Sequence, residues 1–215
     1  MDIREFIRKD KVIVIVRRIY GDTLLKLAEA LREGGVHLME LTFDQSNPDC
    51  ITATGESILA LRERFGDSVR FGAGTVLTAE QVIAAKEVGC EYIISPNVSE
   101  AVIKTTKAAG LISIPGAMTA TEILNAHDLG ADFVKLFPAA YLGTSYVKDI
   151  RAPISHVSLL ATGGIREDNF GDFLKAGCIG AGISGRLTDK TCLAEGNFAE
   201  ITRRAQAFRQ IADEN

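Results

Sequence analysis

An eight-stranded parallel α/β barrel, (β/α)8, is the architecture this sequence predicts, and three observations predict it. Short β-rich runs alternate with amphipathic stretches from one end of the chain to the other. Many of those stretches stop at a glycine. No Pro/Ser-rich linker or shift in composition divides the chain, so its 215 residues are expected to form one barrel domain, 1–215.

The predicted strands are Val12 to Arg17, His37 to Thr42, Val69 to Thr75, Tyr92 to Ser95, Leu111 to Ile114, Phe133 to Phe137, His156 to Ala161 and Cys178 to Gly182. Between them, Thr23 to Glu33, Ser57 to Phe65, Ala79 to Val88, Ser99 to Ala109 and Ala120 to Leu129 carry apolar residues at helical spacing. Gly34-Gly35, Gly66, Gly89, Gly110, Gly130 and Gly177 stand where left-handed C-caps are expected. Ser99 and Thr119 are expected N-caps, and Glu122, three residues past Thr119, completes a capping box. About eight βα units close a barrel. An open doubly wound sheet has fewer strands and a dinucleotide glycine fingerprint, and Arg17-Arg18-Ile19-Tyr20-Gly21 in the first βα turn is not one.

Composition narrows the function. With 47% apolar residues, 24% charged and a net charge of −4, the chain reads as a soluble globular protein and lacks the basic balance of a nucleic-acid surface. No apolar run approaches the roughly 20 residues of a membrane-spanning helix. Met1-Asp2-Ile3-Arg4-Glu5 lacks the layout of a secretory signal, so the expected location is cytoplasmic, with neither nucleic-acid nor membrane partners. Cys50, Cys90, Cys178 and Cys192 include no C-x-x-C pair, and His37, His127 and His156 show no metal-ligand spacing. Reduced, mostly buried thiols and no metal are expected.

Lys135 is the most informative residue. It lies in Asp132-Phe133-Val134-Lys135-Leu136-Phe137-Pro138, where alternation makes both faces of the strand apolar. Desolvation disfavours a charged ammonium and favours a neutral amine able to attack a carbonyl. The competing reading is a lysine that snorkels its ammonium to solvent. Glu40, in Leu38-Met39-Glu40-Leu41-Thr42, is the second misplaced charge; alternation puts it on the face of Leu38 and Thr42, pointing into the barrel toward Lys135. A buried carboxylate with a raised pKa suits proton shuttling beside such an amine, although a structural Glu–Lys ion pair fits the same pattern.

Active sites of barrels lie at the C-terminal ends of the strands. Arg17, Glu40, Thr42, Thr75, Ser95, Lys135, Thr162 and Ser184 fall at or just past such ends. Thr162-Gly163-Gly164-Ile165 and Gly180-Ala181-Gly182-Ile183-Ser184-Gly185 follow the last two strands, where glycine lets backbone N–H groups approach an anion; tight turn geometry explains either loop equally well, but the pair at these two positions favours a phosphorylated or otherwise anionic substrate. Gly72-Ala73-Gly74-Thr75 places two glycines in a strand, as expected where backbone must approach a ligand. Arg17 suits a carboxylate or phosphate, unless it and Arg18 simply form a solvated basic turn.

These residues carry a resemblance. Met39-Glu40-Leu41-Thr42, Gly72-Ala73-Gly74-Thr75-Val76-Leu77, Ile94-Ser95-Pro96-Asn97, Ile114-Pro115-Gly116, Val134-Lys135-Leu136-Phe137-Pro138-Ala139 and Ala161-Thr162-Gly163-Gly164-Ile165 occur in this order. The chain thereby resembles the 2-keto-3-deoxy-6-phosphogluconate (KDPG) and 4-hydroxy-2-oxoglutarate (KHG) aldolase family, near its 2-keto-3-deoxy-6-phosphogalactonate (KDPGal) branch. The resemblance implies a metal-independent class I lyase that cleaves a 2-keto-4-hydroxy acid to pyruvate and an aldehyde through a lysine imine, without a cofactor, as a homotrimer. It implies Lys135 as the Schiff-base lysine, Glu40 as the general acid/base and Thr75 as a ligand of the pyruvyl carboxylate. Phe137 becomes a wall of the pyruvate pocket, and Gly163, Gly164 and Ser184 part of a phosphate site; Pro96 and Thr162 join the substrate-binding set with Arg17. One position departs: where the KDPG branch carries an arginine that contacts substrate, this chain has Asp44, in Thr42-Phe43-Asp44-Gln45-Ser46. Two other readings of the residues are a sugar-phosphate isomerase or epimerase using Glu40 as base, and a non-catalytic sugar-acid binder.

Overall fold

Parallel strands and covering helices alternate through residues 2–215, the part of the chain that the structure, a computed structural model, describes. The strands are β1 (Val12–Val16), β2 (Leu38–Thr42), β3 (Arg70–Gly74), β4 (Tyr92–Ile94), β5 (Ile112–Ile114), β6 (Gly116–Ala117), β7 (Val134–Leu136), β8 (Leu159–Thr162) and β9 (Gly180–Ile183). Their order is β5-β4-β3-β2-β1-β9-β8-β7-β6, with every pair parallel. The two ends of that order are one strand interrupted at Pro115, so nine pieces make the eight staves of a (β/α)8 barrel. Lys135 N–H donates to the Pro115 carbonyl at 2.9 Å and Phe137 N–H to that of Ala117 at 3.1 Å, which seals the ring.

The helices are α1 (Ile3–Asp10), α2 (Gly21–Glu33), α3 (Cys50–Phe65), α4 (Ala79–Glu87), α5 (Glu100–Ala108), α6 (Ala120–Asp128), α7 (Ala139–Arg151), α8 (Phe170–Lys175), α9 (Lys190–Ala194) and α10 (Phe198–Glu214). Gly35, Gly66, Gly89, Gly110, Gly130 and Gly177 all have positive φ, as expected of left-handed helix stops, whereas Gly34 does not. Thr119 and Glu122 form the reciprocal capping box. Ser99 occupies the N-cap position but its side chain makes no capping hydrogen bond.

Side-chain alternation divides the core in two. Val12, Val14, Val16, Met39, Leu41, Val134 and Leu136 face outward into the layer beneath the helices. Ile13, Leu38, Tyr92, Ile94, Ile112, Ile114, Phe133 and Leu160 fill the barrel interior together with Ile7 of α1. Helix α1 therefore plugs one end with a fully buried isoleucine, flanked by Ile3 and Phe6.

Most predicted elements shift by a residue or two at their ends, and three starts show the reasons. Helix α3 starts at Cys50 rather than Ser57, because Thr52, Thr54 and Gly55 are weak helix formers that mask its first turns. Strand β8 starts at Leu159 rather than His156; the segment before it is a turn in which Arg151 Nη1 donates to the Val157 carbonyl at 2.6 Å. Strand β9 begins two residues later than Cys178. If α1 is the plug described, Ile7→Ala costs about 2–5 kcal/mol, the range for a large-to-small change at a packed site. Urea unfolding followed by circular dichroism reads that loss.

Candidate active site

The C-terminal ends of the strands surround a cavity of about 460 Å³. Strand β1 contributes Ile15 and, just past its end, Arg17; the segments following β3 and β4 contribute Thr75 and Pro96. Lys135 and Phe137 come from β7 and its end, Thr162, Gly163, Gly164, Ile165 and Arg166 from β8 and its loop, and Gly182, Ser184, Gly185 and Arg186 from β9 and its loop. Of the polar strand-end residues and the resemblance-implied site residues, all are in this wall except Glu40, Thr42 and Ser95, and the last two are buried outside it.

Glu40 stands behind the wall, 1% exposed. Its inward orientation follows from the alternation that puts Met39 and Leu41 in the outer layer. Space for it comes from Gly74 on the neighbouring strand, where a Cβ would lie 1.7 Å from Glu40 Oε1. Gly72 does the same for Tyr92, whose ring a Cβ would meet at 2.2 Å and whose hydroxyl donates to the Met39 carbonyl at 2.8 Å. The two glycines of β3 thus accommodate side chains rather than a ligand, which corrects the sequence-based expectation.

Burial raises the Glu40 pKa above the ordinary 4.5, while the positive charges of Lys135 and then Arg17 oppose the shift. Lys135 is 9% exposed, with Nζ 5.2 Å from the centre of the Phe137 ring. Among the described residues it forms no ion pair, and neither does Arg17. Lys135 and Glu40 are therefore electrostatic neighbours without a closed salt bridge, and Lys135 does not snorkel into bulk solvent. Arg17 and Arg18 part company: Arg17 joins the cavity wall, whereas Arg18 Nη2 pairs with Asp44 Oδ1 at 2.8 Å.

Thr75 has φ 54, a left-handed conformation that costs an L-residue about 1–2 kcal/mol and is rare for a β-branched side chain. Gly163 and Gly164 have φ 92 and 74, and a Cβ on Gly164 would lie 2.5 Å from that of Ala140, so turn geometry alone requires glycine there. Gly185 has open space around it and no such requirement. Arg166 and Arg186 are site residues the sequence reading passed over. Arg166 is paired with Asp168 at 3.1 Å and Arg186 with Glu167 at 2.9 Å. The only signal was their place immediately after the two glycine-rich turns.

Other chemistries find less material. Burial pushes the Cys90 and Cys178 thiols up to about 12, which removes them as nucleophiles near neutral pH. Among the described residues no group of three or more His, Cys, Asp or Glu is arranged to hold a metal ion, and no helix is long and apolar enough to cross a membrane.

Residues 3–204 match the family model described as KDPG and KHG aldolase. The chain belongs to that aldolase family. It is 32% identical over 201 residues to the 2-dehydro-3-deoxy-6-phosphogalactonate aldolase of Escherichia coli strain K12, covering 90% of this chain and 95% of that one. A native KDPGal structure superposes with a TM-score of 0.83 at 32% identity, covering 94% of each chain. The Legionella pneumophila KDPG aldolase, solved with pyruvate captured at low pH as a covalent carbinolamine intermediate, is 26% identical, with a TM-score of 0.83 over 97% of this chain and 98% of that one. Membership makes the protein a lyase, and the barrel that carries these side chains is the family's barrel.

Two substitutions probe the site. Gly74→Ala displaces the Glu40 carboxylate, so activity falls while stability drops by about 1–3 kcal/mol, as for other overpacked positions. If the carboxyl exchanges protons with substrate, Glu40→Gln is expected to lower kcat by about 10²–10⁴-fold, the usual contribution of a general acid/base. The same change stabilises the fold at neutral pH. A carboxyl whose folded pKa is raised binds more protons folded than unfolded, so its contribution is present below 4.5 and is lost as pH rises through the folded value. Melting curves at several pH values should therefore show the stability gained by Glu40→Gln shrinking as pH falls.

Proposed function

We propose that the protein catalyses reversible aldol cleavage of a 2-keto-3-deoxy sugar acid, 6-phosphorylated in the KDPG manner, or of 4-hydroxy-2-oxoglutarate, to pyruvate and an aldehyde. The observation that carries this reading is the buried, unpaired Lys135 on the cavity wall with a protonatable carboxyl behind it. The carbinolamine of pyruvate captured in the Legionella relative supports it.

Lys135 Nζ attacks the keto carbon and forms a carbinolamine. Glu40, whose burial favours the protonated form, gives its proton to the departing hydroxyl, and water leaves as the iminium forms. Glu40, now a carboxylate, accepts the proton of the 4-hydroxyl, directly or through a water, as the bond between C3 and C4 breaks. The electron pair of that bond flows into the iminium and leaves an enamine. Protonation at C3 gives the pyruvyl imine, and hydrolysis frees pyruvate and Lys135. No metal or further cofactor enters this cycle.

Arg17 and Thr75 hold the oxygen atoms of the keto-acid end and Phe137 walls the methyl side, with Pro96 and Thr162 completing the enclosure. Gly163, Gly164 and Ser184 take the distal anion, in reach of Arg166 and Arg186 at the same mouth. An isomerase would need Glu40 itself at a substrate carbon, whereas the aldolase reading asks it to exchange protons with substrate oxygen atoms, which a bridging water can relay from behind the wall. By likeness to the family we also propose a homotrimer of the 23.1 kDa chain in the cytoplasm, which sedimentation velocity checks for assembly.

Pyruvate with borohydride is expected to add the mass of a reduced pyruvyl group to the peptide containing Lys135, and Lys135→Ala is expected to abolish both the adduct and pyruvate release. An adduct at another lysine, or none, contradicts the proposal. A pyruvate-release screen over KDPG, KDPGal, their unphosphorylated forms and 4-hydroxy-2-oxoglutarate, with Lys135→Ala as blank, identifies the substrate.

A further inference from the structure

Among the described residues three non-glycine residues have positive φ: Lys11, Arg18 and Thr75. Two of them are held by adjacent residues of one loop, the segment that follows β2. Asp44 Oδ1 accepts from Arg18 Nη2 at 2.8 Å, and Ser46 Oγ accepts from the same nitrogen at 3.1 Å. Gln45 Nε2 donates to the Thr75 carbonyl at 2.7 Å. The loop is itself braced: Asn47 N–H donates to the Asp44 carbonyl at 2.9 Å, and Gln45 Oε1 accepts from Nε2 of the buried Gln81 at 3.1 Å. Gln81 Oε1 in turn accepts from the Leu77 N–H at 2.8 Å, two residues past Thr75. No residue from 43 to 49 lines the cavity, yet the two it clamps are Thr75, which does, and Arg18, next to Arg17, which does.

We propose that Asp44 and Gln45 are positioning residues that clip the β1 and β3 loops in left-handed turns and so aim Arg17 and Thr75 at the carboxylate of the keto-acid substrate. The proposal rests on the aldolase reading for the identity of that carboxylate. It explains an acidic residue at position 44 without placing it against an anionic substrate. The ion pair with Arg18 and the hydroxyl of Ser46 hold the Asp44 carboxyl down at about 2, so it stays an ionised acceptor throughout the neutral range. A contact with the carboxylate is present in both ground and transition states, so a loosened clip weakens binding more than it slows chemistry.

The test is borohydride trapping as a function of pyruvate concentration, together with steady-state pyruvate release, on Gln45→Met and on Thr75→Ala with and without Gln45→Met. Gln45 is exposed, so its replacement leaves the fold in place. Gln45→Met is expected to raise the half-saturating pyruvate and the KM about tenfold, with kcat within about twofold, the size of effect from one lost hydrogen bond. In the Thr75→Ala background the same change is expected to add less than twofold, because its target is already gone. Arg18→Gly, which adopts the left-handed turn freely, is expected to recover most of the KM lost in Arg18→Ala. Unchanged half-saturation in Gln45→Met, or an equal factor in both backgrounds, overturns the clip. Failure of the aldolase reading is separately visible, since the parent protein would then show no adduct at Lys135.

Discussion

Glu40 occupies a space that exists only because β3 has no side chain at Gly74. The consequences spread outward from that close approach. A carboxylate enclosed between strands loses hydration, so its proton affinity rises above that of an exposed glutamate. Lys135 sits close enough to oppose that shift electrostatically, but not so close that a salt bridge consumes both charges. An ion pair at contact distance would bind the two groups to each other and leave neither free to act on a third. The separation of the two groups is therefore as important to the chemistry as their burial.

The rest of the barrel serves that arrangement. Its interior is packed from below by α1 and by Ile13, Leu38, Tyr92 and Phe133, which exclude water from the base of the site. The interruption at Pro115 leaves a carbonyl that accepts from the Lys135 N–H, so the backbone of Lys135 is fixed where the ring closes. Above this dry floor the wall turns polar, with Arg17 and Thr75 on one side and the loops after β8 and β9 on the other.

Much of this was legible in the sequence. Lys135 and Glu40 are conspicuous because charged residues interrupt runs whose both faces are apolar, and period-two alternation suffices to point them inward. The barrel itself follows from repeated strand, helix and glycine stop. What escaped has physical reasons. Gly72 and Gly74 look like a ligand approach in sequence, since nothing local reveals that Tyr92 and Glu40, one 18 residues after Gly74 and the other on the preceding strand, need their space. The continuation of the fifth strand past Pro115 was hidden by a residue that disrupts any strand pattern. Arg166 and Arg186 carry no periodic signal, and the partnership of Asp44 with Arg18 depends on two loops meeting in three dimensions.

The most direct test of this account is the titration of the Glu40 carboxyl itself, followed by its ¹³C chemical shift in glutamate-labelled protein and assigned by its disappearance in Glu40→Gln. The midpoint is expected above 4.5, and expected to rise further in Lys135→Met, because the cation that holds it down has been removed. A midpoint at or below 4.5, or one that Lys135→Met leaves unmoved, would contradict the claim that these two groups share one desolvated, electrostatically coupled site.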